Sequence, residues 1–190
     1  MEKQISRCAW CGNDPLYMAY HDTEWGVPVY DDDKLFEFLI LETFQAGLSW
    51  ITILRKRENF RKAFDNFDYQ KITKYNDQKF ESLMQDACII RNKLKIKATI
   101  SNASAFIAIQ NEFGSFSKYI WQFTKGKPIV NLHKTLNDIP ATTALSDDLS
   151  KDLKKRGFKF VGSTVIYAHM QATGMVNDHI TSCFRYKDLS

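Results

Sequence analysis

The chain has 190 residues, of which 44% are hydrophobic and 25% are charged, and its net charge is +4 with an isoelectric point near 8.8. This composition supplies enough apolar residues for a full core, so it excludes a disordered chain and predicts one large domain or two closely packed lobes. Four cysteines in a chain of this length do not indicate a disulfide scaffold. The mild positive charge permits nucleic-acid binding without requiring it.

No segment of the sequence predicts secretion or a membrane span. The first residues, MEKQISRCAWCG, lack the apolar centre of a signal peptide. The longest apolar run, FEFLILETF, is interrupted by charge and is too short to cross a bilayer. We therefore expect no membrane partner and a reducing cytoplasmic environment, in which free thiols persist.

Helical periodicity dominates the chain, and no alternating strand pattern or hairpin signal is present. In chain order, the predicted helices are 15–24, 34–46, 50–64, 77–86, 93–113, 117–123, a helix from 146 to 156 and a helix from 163 to 174. Pro15 occupies a permitted first position, and Ser49 and Asp77 are the predicted N-caps of their helices. Gly114 ends the long helix, and residues 126–142 predict an irregular connection with two prolines. The predicted fold class is all-α.

Residues 147–173 predict two helices joined by a short, glycine-bounded turn. Ser146 is the expected cap of the first helix, and Gly157 ends it. The second helix begins near Ser163, where free N–H groups and the small Gly162 would suit a phosphate. The surrounding cations are Lys151, Lys154, Lys155, Arg156 and Lys159. The pattern favours docking on a DNA backbone, and an ordinary helix turn with a solvated basic face is the alternative.

Both ends of the chain carry a pair of potential metal ligands. Cys8 and His21 lie near the start. His179 and Cys183 lie near the finish at i and i+4, which on a helix would give them one face. Two cysteines and two histidines form a tetrahedral set that suits Zn²⁺. Cys11 is a fifth candidate, and a redox Cys-x-x-Cys pair or an inert thiol beside a core histidine are the alternatives.

A carboxylate continues an apolar stripe on the predicted helix 34–46. The stripe consists of Leu35, Phe38, Leu39, Glu42 and Ala46. Burial of an unpaired carboxylate costs free energy, so we expect Glu42 to have an interaction partner. A cationic ligand could be that partner. Exposure to solvent, or pairing with a nearby lysine or arginine, is the alternative. Aromatic residues that could form the walls of a purine pocket, or belong to the core, are Tyr17, Tyr20, Trp25 and Trp50.

Five stretches of the chain resemble the bacterial 3-methyladenine DNA glycosylase I (Tag) family of the helix-hairpin-helix superfamily. They are DPLYMAYHDTEWGVP, LETFQAGLSWITILRKRENFRKAF, QDACIIRNKLKI, LSKDLKKRGFKFVGSTVIYAHMQATG and VNDHITSC. These stretches are long and extend over nearly the whole chain. The resemblance implies a single glycosylase domain over residues 1–190, built from two closely packed helical lobes. A structural zinc would clasp residues 8–21 to residues 179–183.

The resemblance also assigns roles to individual residues. It places zinc on Cys8, His21, His179 and Cys183 and leaves Cys11 outside the site. It implies a base pocket lined by Tyr20, Glu42 and Trp50, in which Glu42 is the catalytic group. Leu48 would lie at the loop that probes the vacated base stack. With Leu48, the predicted DNA-binding residues are Gly157, Lys159, Gly162 and Ser163.

One position departs from the wider superfamily, in which many members carry a catalytic aspartate in a Val-Asp-x-His stretch. Here the stretch reads Val176-Asn177-Asp178-His179, so Asn177 occupies the aspartate position. Asp178 would face elsewhere on a helix. Methylation at N3 makes adenine cationic, and cleavage neutralises the leaving base through an oxocarbenium-like transition state. A general acid is therefore not required.

The predicted function is excision of 3-methyladenine from double-stranded DNA that contains alkylated adenine. Free 3-methyladenine is the product, and no lyase activity is expected because no lysine is placed as a Schiff-base nucleophile. We expect a monomer in the bacterial cytoplasm. A non-catalytic, zinc-stabilised helical DNA-binding module is the alternative function. A small-molecule purine enzyme that uses the same pocket is a third possibility.

Overall fold

A computed structural model describes residues 5–45 and 47–190, which form ten α-helices and one short parallel ladder. The helices are α1 (Pro15–Thr23), α2 (Asp32–Gln45), α3 (Trp50–Ala63), α4 (Tyr69–Ile72), α5 (Asp77–Gln85), α6 (Lys93–Phe113), α7 (Phe116–Trp121), α8 (Ala144–Lys155), α9 (Ser163–Ala172) and α10 (Phe184–Asp188). The strands are β1 (Ile129–Val130) and β2 (Val176–Asn177). Within the described ranges, no helix combines the length and the apolar character needed to cross a membrane.

Helix α2 lies at the centre of the molecule and is buried on every side. All of its residues from Leu35 to Phe44 are buried, and it packs against α3, α6, α7 and α9. The apolar stripe predicted from the sequence is therefore only part of a helix that has no solvent face. Ala46, the last member of that stripe and the predicted end of the helix, lies outside the described residues, as do residues 1–4 of the predicted domain.

The long helix α6 has the predicted limits, but two predicted caps are wrong. At the start of α5, Asn76 rather than Asp77 accepts the hydrogen bond from the backbone N–H of Lys79. At the start of α8, Thr143 is the N-cap, and Ser146 lies three residues later as the second member of a capping box. In both cases a neighbouring side chain of the same hydrogen-bonding type has the better geometry for the free N–H groups.

The C-terminal segment contains the main departure from the predicted secondary structure. Residues 126–142 include β1, which pairs in parallel with β2 through Ile129 with Val176 and Val130 with Asn177. Two-residue strands are too short to give an alternating pattern. His179 and Cys183 do not share a helix, because they lie in the turn between β2 and α10, where Cys183 is the N-cap of α10. The helical spacing predicted for these two ligands is wrong.

Gly174 allows the end of α9 to press against the loop after α1. Its φ is 69°, and a Cβ at this position would lie 2.4 Å from the backbone atoms of Val27 and Pro28. The same contact is hydrogen-bonded, since the Gly26 N–H donates to the carbonyl of Gln171 over 3.1 Å. A side chain would therefore force the two segments apart. This junction holds the aromatic N-terminal region against the C-terminal turn.

Candidate active site and metal site

Four buried side chains from the two ends of the chain converge on one point. Their donor atoms all lie within 4.8 Å of one another, and they belong to Cys8, His21, His179 and Cys183. Sγ of Cys8 is 3.6 Å from Nδ1 of His179, and Sγ of Cys183 is 3.5 Å from Nδ1 of His179 and from Nε2 of His21. Tetrahedral bonds of about 2.3 Å to sulfur and about 2.0 Å to nitrogen place such donors about 3.5 Å apart. Three of the donor separations have this value, so the group can hold a metal ion.

The other ring nitrogen of each histidine already has a partner. Nδ1 of His21 lies 2.8 Å from Oδ1 of Asp22, and Nε2 of His179 lies 3.1 Å from the carbonyl oxygen of Trp25. These contacts turn the remaining nitrogen of each ring toward the thiols, and Nε2 of His21 also accepts from the backbone N–H of Cys8 over 3.3 Å. A hydrogen bond from Cys8, with further ones from His179 and His21, lowers the pKa of Cys183 and so favours its thiolate.

Cys11 is buried but does not join this group. Its thiol donates to the backbone carbonyl of Cys8 over 3.2 Å. Cys8 itself faces the histidines, so the two cysteines of the Cys-x-x-Cys pair have different surroundings. The structure thus brings together the four residues that the resemblance implied and places Cys11 beside them.

An aromatic cavity of about 750 Å³ lies next to the metal-binding group. The four aromatic residues considered from the sequence, Tyr17, Tyr20, Trp25 and Trp50, all line it. The ring centroids of Tyr20 and Trp50 are 5.6 Å apart with the planes at 48°. Trp10, which sequence reasoning missed, also lines the cavity and packs 4.9 Å from Tyr17. Trp10 lies in a three-residue 3₁₀ turn, where no periodicity can predict the direction of its side chain.

The opposite wall of the cavity comes from segments that the sequence did not assign to it. Helix α9 contributes Thr164, Val165, Ala168 and Gln171, and the connection before α8 contributes Leu136 and Ile139. The spacing of Thr164, Ala168 and Gln171 is that of one helix face. Helix α9 therefore belongs both to the predicted hairpin and to the cavity.

Glu42 lines this cavity from the central helix. It is only 4% exposed, and no hydrogen bond or ion pair joins its carboxyl to another described residue. Burial raises its pKa to about 8, so the carboxyl in the free protein is largely protonated at neutral pH. Glu42 is neither exposed to solvent nor paired with a lysine or arginine of the described residues, so neither alternative is found there. A cation in the cavity would favour the ionised form.

A second cavity, of about 510 Å³, lies on the other side of Tyr20. Its wall includes Arg57, which donates to Glu37 over 2.7 Å and to Glu24 over 2.6 Å. Every carboxylate in its lining is paired with an arginine: Glu24 and Glu37 with Arg57, and Glu58 with Arg61. The aromatic cavity, in which the carboxyl is unpaired, is therefore the better candidate for a ligand.

The hairpin between α8 and α9 is fixed from the inside by two buried polar residues. Asn102 of α6 accepts a hydrogen bond from the N–H of Lys159 over 2.8 Å and donates to its carbonyl over 3.1 Å. The Ser150 hydroxyl donates to the carbonyl of Val161 over 2.6 Å. The side chain of Lys159 remains exposed. The hairpin thus presents a preformed backbone to the outside.

The two glycines of the hairpin, Gly157 and Gly162, differ in whether the backbone conformation requires glycine. Gly157 has a φ of 96°, which strongly favours glycine. Gly162 has a φ of −61°, and a Cβ there would meet no atom within 4 Å, so neither strain nor internal packing requires glycine. Ser163 begins α9, and its hydroxyl lies 2.8 Å from that of Ser146. Arg156, one of the cations predicted to surround the hairpin, pairs with Asp152 and Glu112.

Two further residues considered from the sequence, Leu48 and Asn177, are not among the residues that line the aromatic cavity. Leu48 is 37% exposed in the loop between α2 and α3, close to Gly47 and Trp50 of the cavity wall. Asn177 is buried and donates through Nδ2 to the carbonyl of Tyr186 over 3.1 Å, so it faces α10. It is not among the cavity residues.

The model of the methyladenine glycosylase family matches residues 10–186 of the chain. The chain belongs to this family. It is 51% identical to DNA-3-methyladenine glycosylase 1 of Escherichia coli K12, over 96% of this chain and 97% of that protein. It is 47% identical to DNA-3-methyladenine glycosylase of Haemophilus influenzae, over 94% and 96% of the two chains. These matches confirm the predicted family and the prediction of a glycosylase.

Solved structures of methyladenine glycosylases have the same fold. A crystal structure of 3-methyladenine DNA glycosylase I gives a TM-score of 0.92 at 52% identity, over 94% of this chain and 98% of the other. The Staphylococcus aureus enzyme, solved to explain 3-methyladenine recognition, also gives 0.92, at 36% identity over 96% and 97%. The predicted all-α glycosylase fold is confirmed.

Proposed function

We propose that this methyladenine glycosylase excises 3-methyladenine from alkylated double-stranded DNA by hydrolysing the N-glycosidic bond, without lyase activity. The single observation that carries the proposal is the buried, unpaired carboxyl of Glu42 facing an aromatic cavity. The names of the two bacterial relatives support it. So does a solved structure of a tyrosine-to-phenylalanine variant of 3-methyladenine DNA glycosylase I in complex with 3-methyladenine.

The cavity offers a methylated adenine both charge and flat surfaces. The Glu42 carboxylate accepts a hydrogen bond from the exocyclic amine and complements the positive charge of the base. Tyr20 and Trp50 contact its faces, where a cationic ring is attracted by the aromatic quadrupole. The indole N–H groups of Trp10 and Trp50 are buried and have no hydrogen-bond partner within the described residues.

The chemistry needs little help from an acid. The bond between C1′ and the base breaks, its electron pair neutralises the cationic base, and the oxygen of a water molecule forms the new bond to C1′ while its proton leaves to solvent. Asn177 faces α10 and takes no part. The enzyme flips the nucleotide, holds the base and admits water, and a damaged base is cheaper to flip.

DNA docking is assigned to the outside of the hairpin and to one loop. The backbone at Gly157, Gly162 and Ser163 would approach a phosphate, with Lys159 adding charge. Leu48 would enter the gap left by the flipped nucleotide. On this proposal residues 147–173 form the helix-hairpin-helix unit of a single domain over residues 1–190.

For the metal-binding group we propose structural Zn²⁺, held by Cys8, His21, His179 and Cys183. The support is the donor set of two thiols and two imidazoles, and its spacing close to that of a tetrahedral centre. When bound, zinc supplies folding energy by tying the two ends of the chain together. One chain completes both the group and the cavity, so we propose a monomer, acting in the bacterial cytoplasm.

The test is release of free base from methylated duplex DNA by the purified protein. We expect 3-methyladenine to be released while the DNA strand remains uncut. The same measurement on unmethylated DNA and on methylated free nucleosides serves as the control. Binding of DNA without base release would favour the non-catalytic module, and activity on nucleosides alone would favour a small-molecule purine enzyme.

A further inference from the structure

Asp178 is a buried carboxylate that accepts hydrogen bonds from four side chains. Oδ1 accepts from Nδ2 of Asn131 over 2.6 Å and faces Nε2 of His133 at 3.2 Å. Oδ2 accepts from the hydroxyl of Tyr167 over 2.6 Å and from Nε2 of Gln171 over 2.8 Å. Asp178 is 1% exposed and is not itself part of the aromatic cavity. None of the steps proposed above uses it.

This contact fixes the direction of the Gln171 amide. A carboxylate only accepts hydrogen bonds, so the amide must turn its NH₂ group toward Asp178. Its carbonyl oxygen is then directed away from Asp178, and no hydrogen bond joins that oxygen to another described residue. Gln171 lines the aromatic cavity on the same face of α9 as Thr164 and Ala168. The backbone of Gln171 is held as well, because its carbonyl accepts from Gly26 over 3.1 Å.

We infer that Gln171 is a second hydrogen-bond acceptor in the cavity, and that Asp178 is the positioning residue that orients it. The inference rests on the proposed function. The ligand chemistry is a hydrogen-bond donor, which is either the amine of the flipped base or the O–H of the attacking water. A freely rotating amide would present its NH₂ group to the cavity part of the time, and that group would repel a cationic base. The bond to Asp178 excludes this orientation.

The same carboxylate also fixes a second segment of the cavity wall. Asn131 and His133 follow β1, and the N–H of Thr181 donates to the carbonyl of His133 over 2.8 Å. The connection continues to Leu136 and Ile139, which line the cavity. A defect in Asp178 could therefore act through this wall instead of through Gln171, and the experiment has to separate the two routes.

The first arm replaces Gln171 alone. Gln171→Met keeps the length of the side chain but removes the acceptor, and we expect base release to fall about ten-fold with little change in thermal unfolding temperature. An equal fall in affinity for free 3-methyladenine identifies the donor as the base amine. A fall in the single-turnover rate at unchanged affinity identifies it as water. Gln78→Met, on the exposed start of α5, is the control.

The second arm tests orientation by exchanging the two groups. Asp178→Asn allows the Gln171 amide to invert, so it should reproduce the defect of Gln171→Met. In the double variant Gln171→Glu with Asp178→Asn, the new amide donates to one carboxylate oxygen and the other oxygen again faces the cavity. We expect the double variant to recover at least part of the activity lost in Asp178→Asn. A role in wall structure alone would give no recovery.

Failure of this inference can be distinguished from failure of the proposed glycosylase function. If the wild-type protein releases no base, the glycosylase proposal fails, and unchanged affinity of Gln171→Met for free 3-methyladenine would then overturn this inference as well. If the wild type is active, full activity of Gln171→Met overturns the acceptor role. A double variant no better than Asp178→Asn overturns the positioning role. Should Asp178→Asn fail to fold, the comparison of Gln171→Met with Gln78→Met decides the acceptor role.

Discussion

Asp22 follows His21 directly in the chain and holds its Nδ1 at 2.8 Å from Oδ1. The contact turns Nε2 of His21 toward Cys183, and Arg7 fixes the aspartate in turn by donating to both of its oxygens. Partners of this kind orient a histidine ligand and raise its basicity. The metal-binding group therefore depends on residues outside the four ligands.

Asp22→Asn should weaken metal binding by about 10- to 100-fold while the four ligands remain. The measurement is competition against a chromogenic chelator. Asp14→Asn is the matched control, because Asp14 also pairs with an arginine, Arg55 at 2.6 Å, but contacts none of the ligands. Equal metal affinity in the Asp22 and Asp14 variants would contradict the orienting role.

The two cysteines of the N-terminal pair should differ sharply on substitution. Cys8→Ser removes a ligand, so we expect loss of the metal and a lower thermal unfolding temperature. Cys11→Ser should retain one metal ion per chain, because its thiol contacts only backbone carbonyls at 3.2 and 3.9 Å. The measurement is the metal content of both purified variants. Loss of metal in the Cys11 variant alone would move the ligand assignment.

Glu42→Gln should make the free protein more stable at alkaline pH. Because burial raises the pKa of Glu42 from 4.5 to about 8, the folded protein holds a proton that the unfolded chain has released. The free energy of unfolding therefore falls as pH rises between these two values, by about 1.4 kcal/mol for each pKa unit. Denaturant unfolding at pH 4, 6 and 8.5 should show an advantage of Glu42→Gln that grows with pH.

A matched variant on the same helix should behave in the opposite way. Glu37 is also buried but bonds to Arg57 over 2.7 Å, so Glu37→Gln breaks an ion pair and should destabilise the protein.

The activity of the wild-type protein should depend on the ionisation of Glu42. Its kcat/KM should rise with pH, with a midpoint near 8, the pKa of Glu42. Glu42→Gln should be weakly active and lack this titration. A wild-type profile that is flat from pH 6 to 9 would contradict a role for the ionised carboxyl.

The hairpin glycines should separate DNA binding from folding. Gly162→Leu meets no protein atom at Cβ, so stability should be retained while affinity for methylated and unmethylated duplex falls alike. Gly157→Ala forces a Cβ onto a φ of 96°, so it should lower the free energy of unfolding by about 1 kcal/mol. Fluorescence anisotropy and denaturant unfolding give the two quantities. Unchanged DNA affinity in Gly162→Leu would remove the hairpin from the interface.

Leu48 should matter for duplex DNA and not for the free base. Leu48→Ala should lower base release from methylated duplex several-fold, because the vacated stack is no longer filled. Affinity for free 3-methyladenine should be unchanged. Leu132→Ala, at a leucine that is 77% exposed, provides the control for loss of a surface leucine. An equal effect of both substitutions would show that Leu48 has no special place at the DNA.

The sequence could predict features that depend on local signals. Helix α6 has the predicted limits because Asn92 caps its start and Gly114 its end, and both signals lie within one turn of the helix. The resemblance brought together the metal-binding residues, although the helix predicted for His179 and Cys183 is absent. The turn that carries His179 and Cys183 follows β2, whose pairing with β1 is a tertiary contact without a local pattern.

The remaining parts of the site depend on contacts between distant segments. Glu42 is buried because α2 is surrounded by other helices, which an apolar stripe on one face does not reveal. Gln171 and Asp178 are seven residues apart and meet only because the chain turns at Gly174. Asn102 reaches the hairpin across 57 residues. No spacing rule links such residues in a single sequence.

The positions of the four ligands in the chain also determine when the metal-binding group can form during protein synthesis. Cys8 and His179 are separated by 171 positions, so the N-terminal ligands leave the ribosome long before their partners exist. At a translation rate of about 5–20 residues per second, the interval is roughly 10–30 s. During that time the nascent chain carries only two of the four ligands, the thiol of Cys8 and the imidazole of His21. Closure of the group is thus among the last events of folding, and a chain whose synthesis stops before His179 cannot lock its two ends.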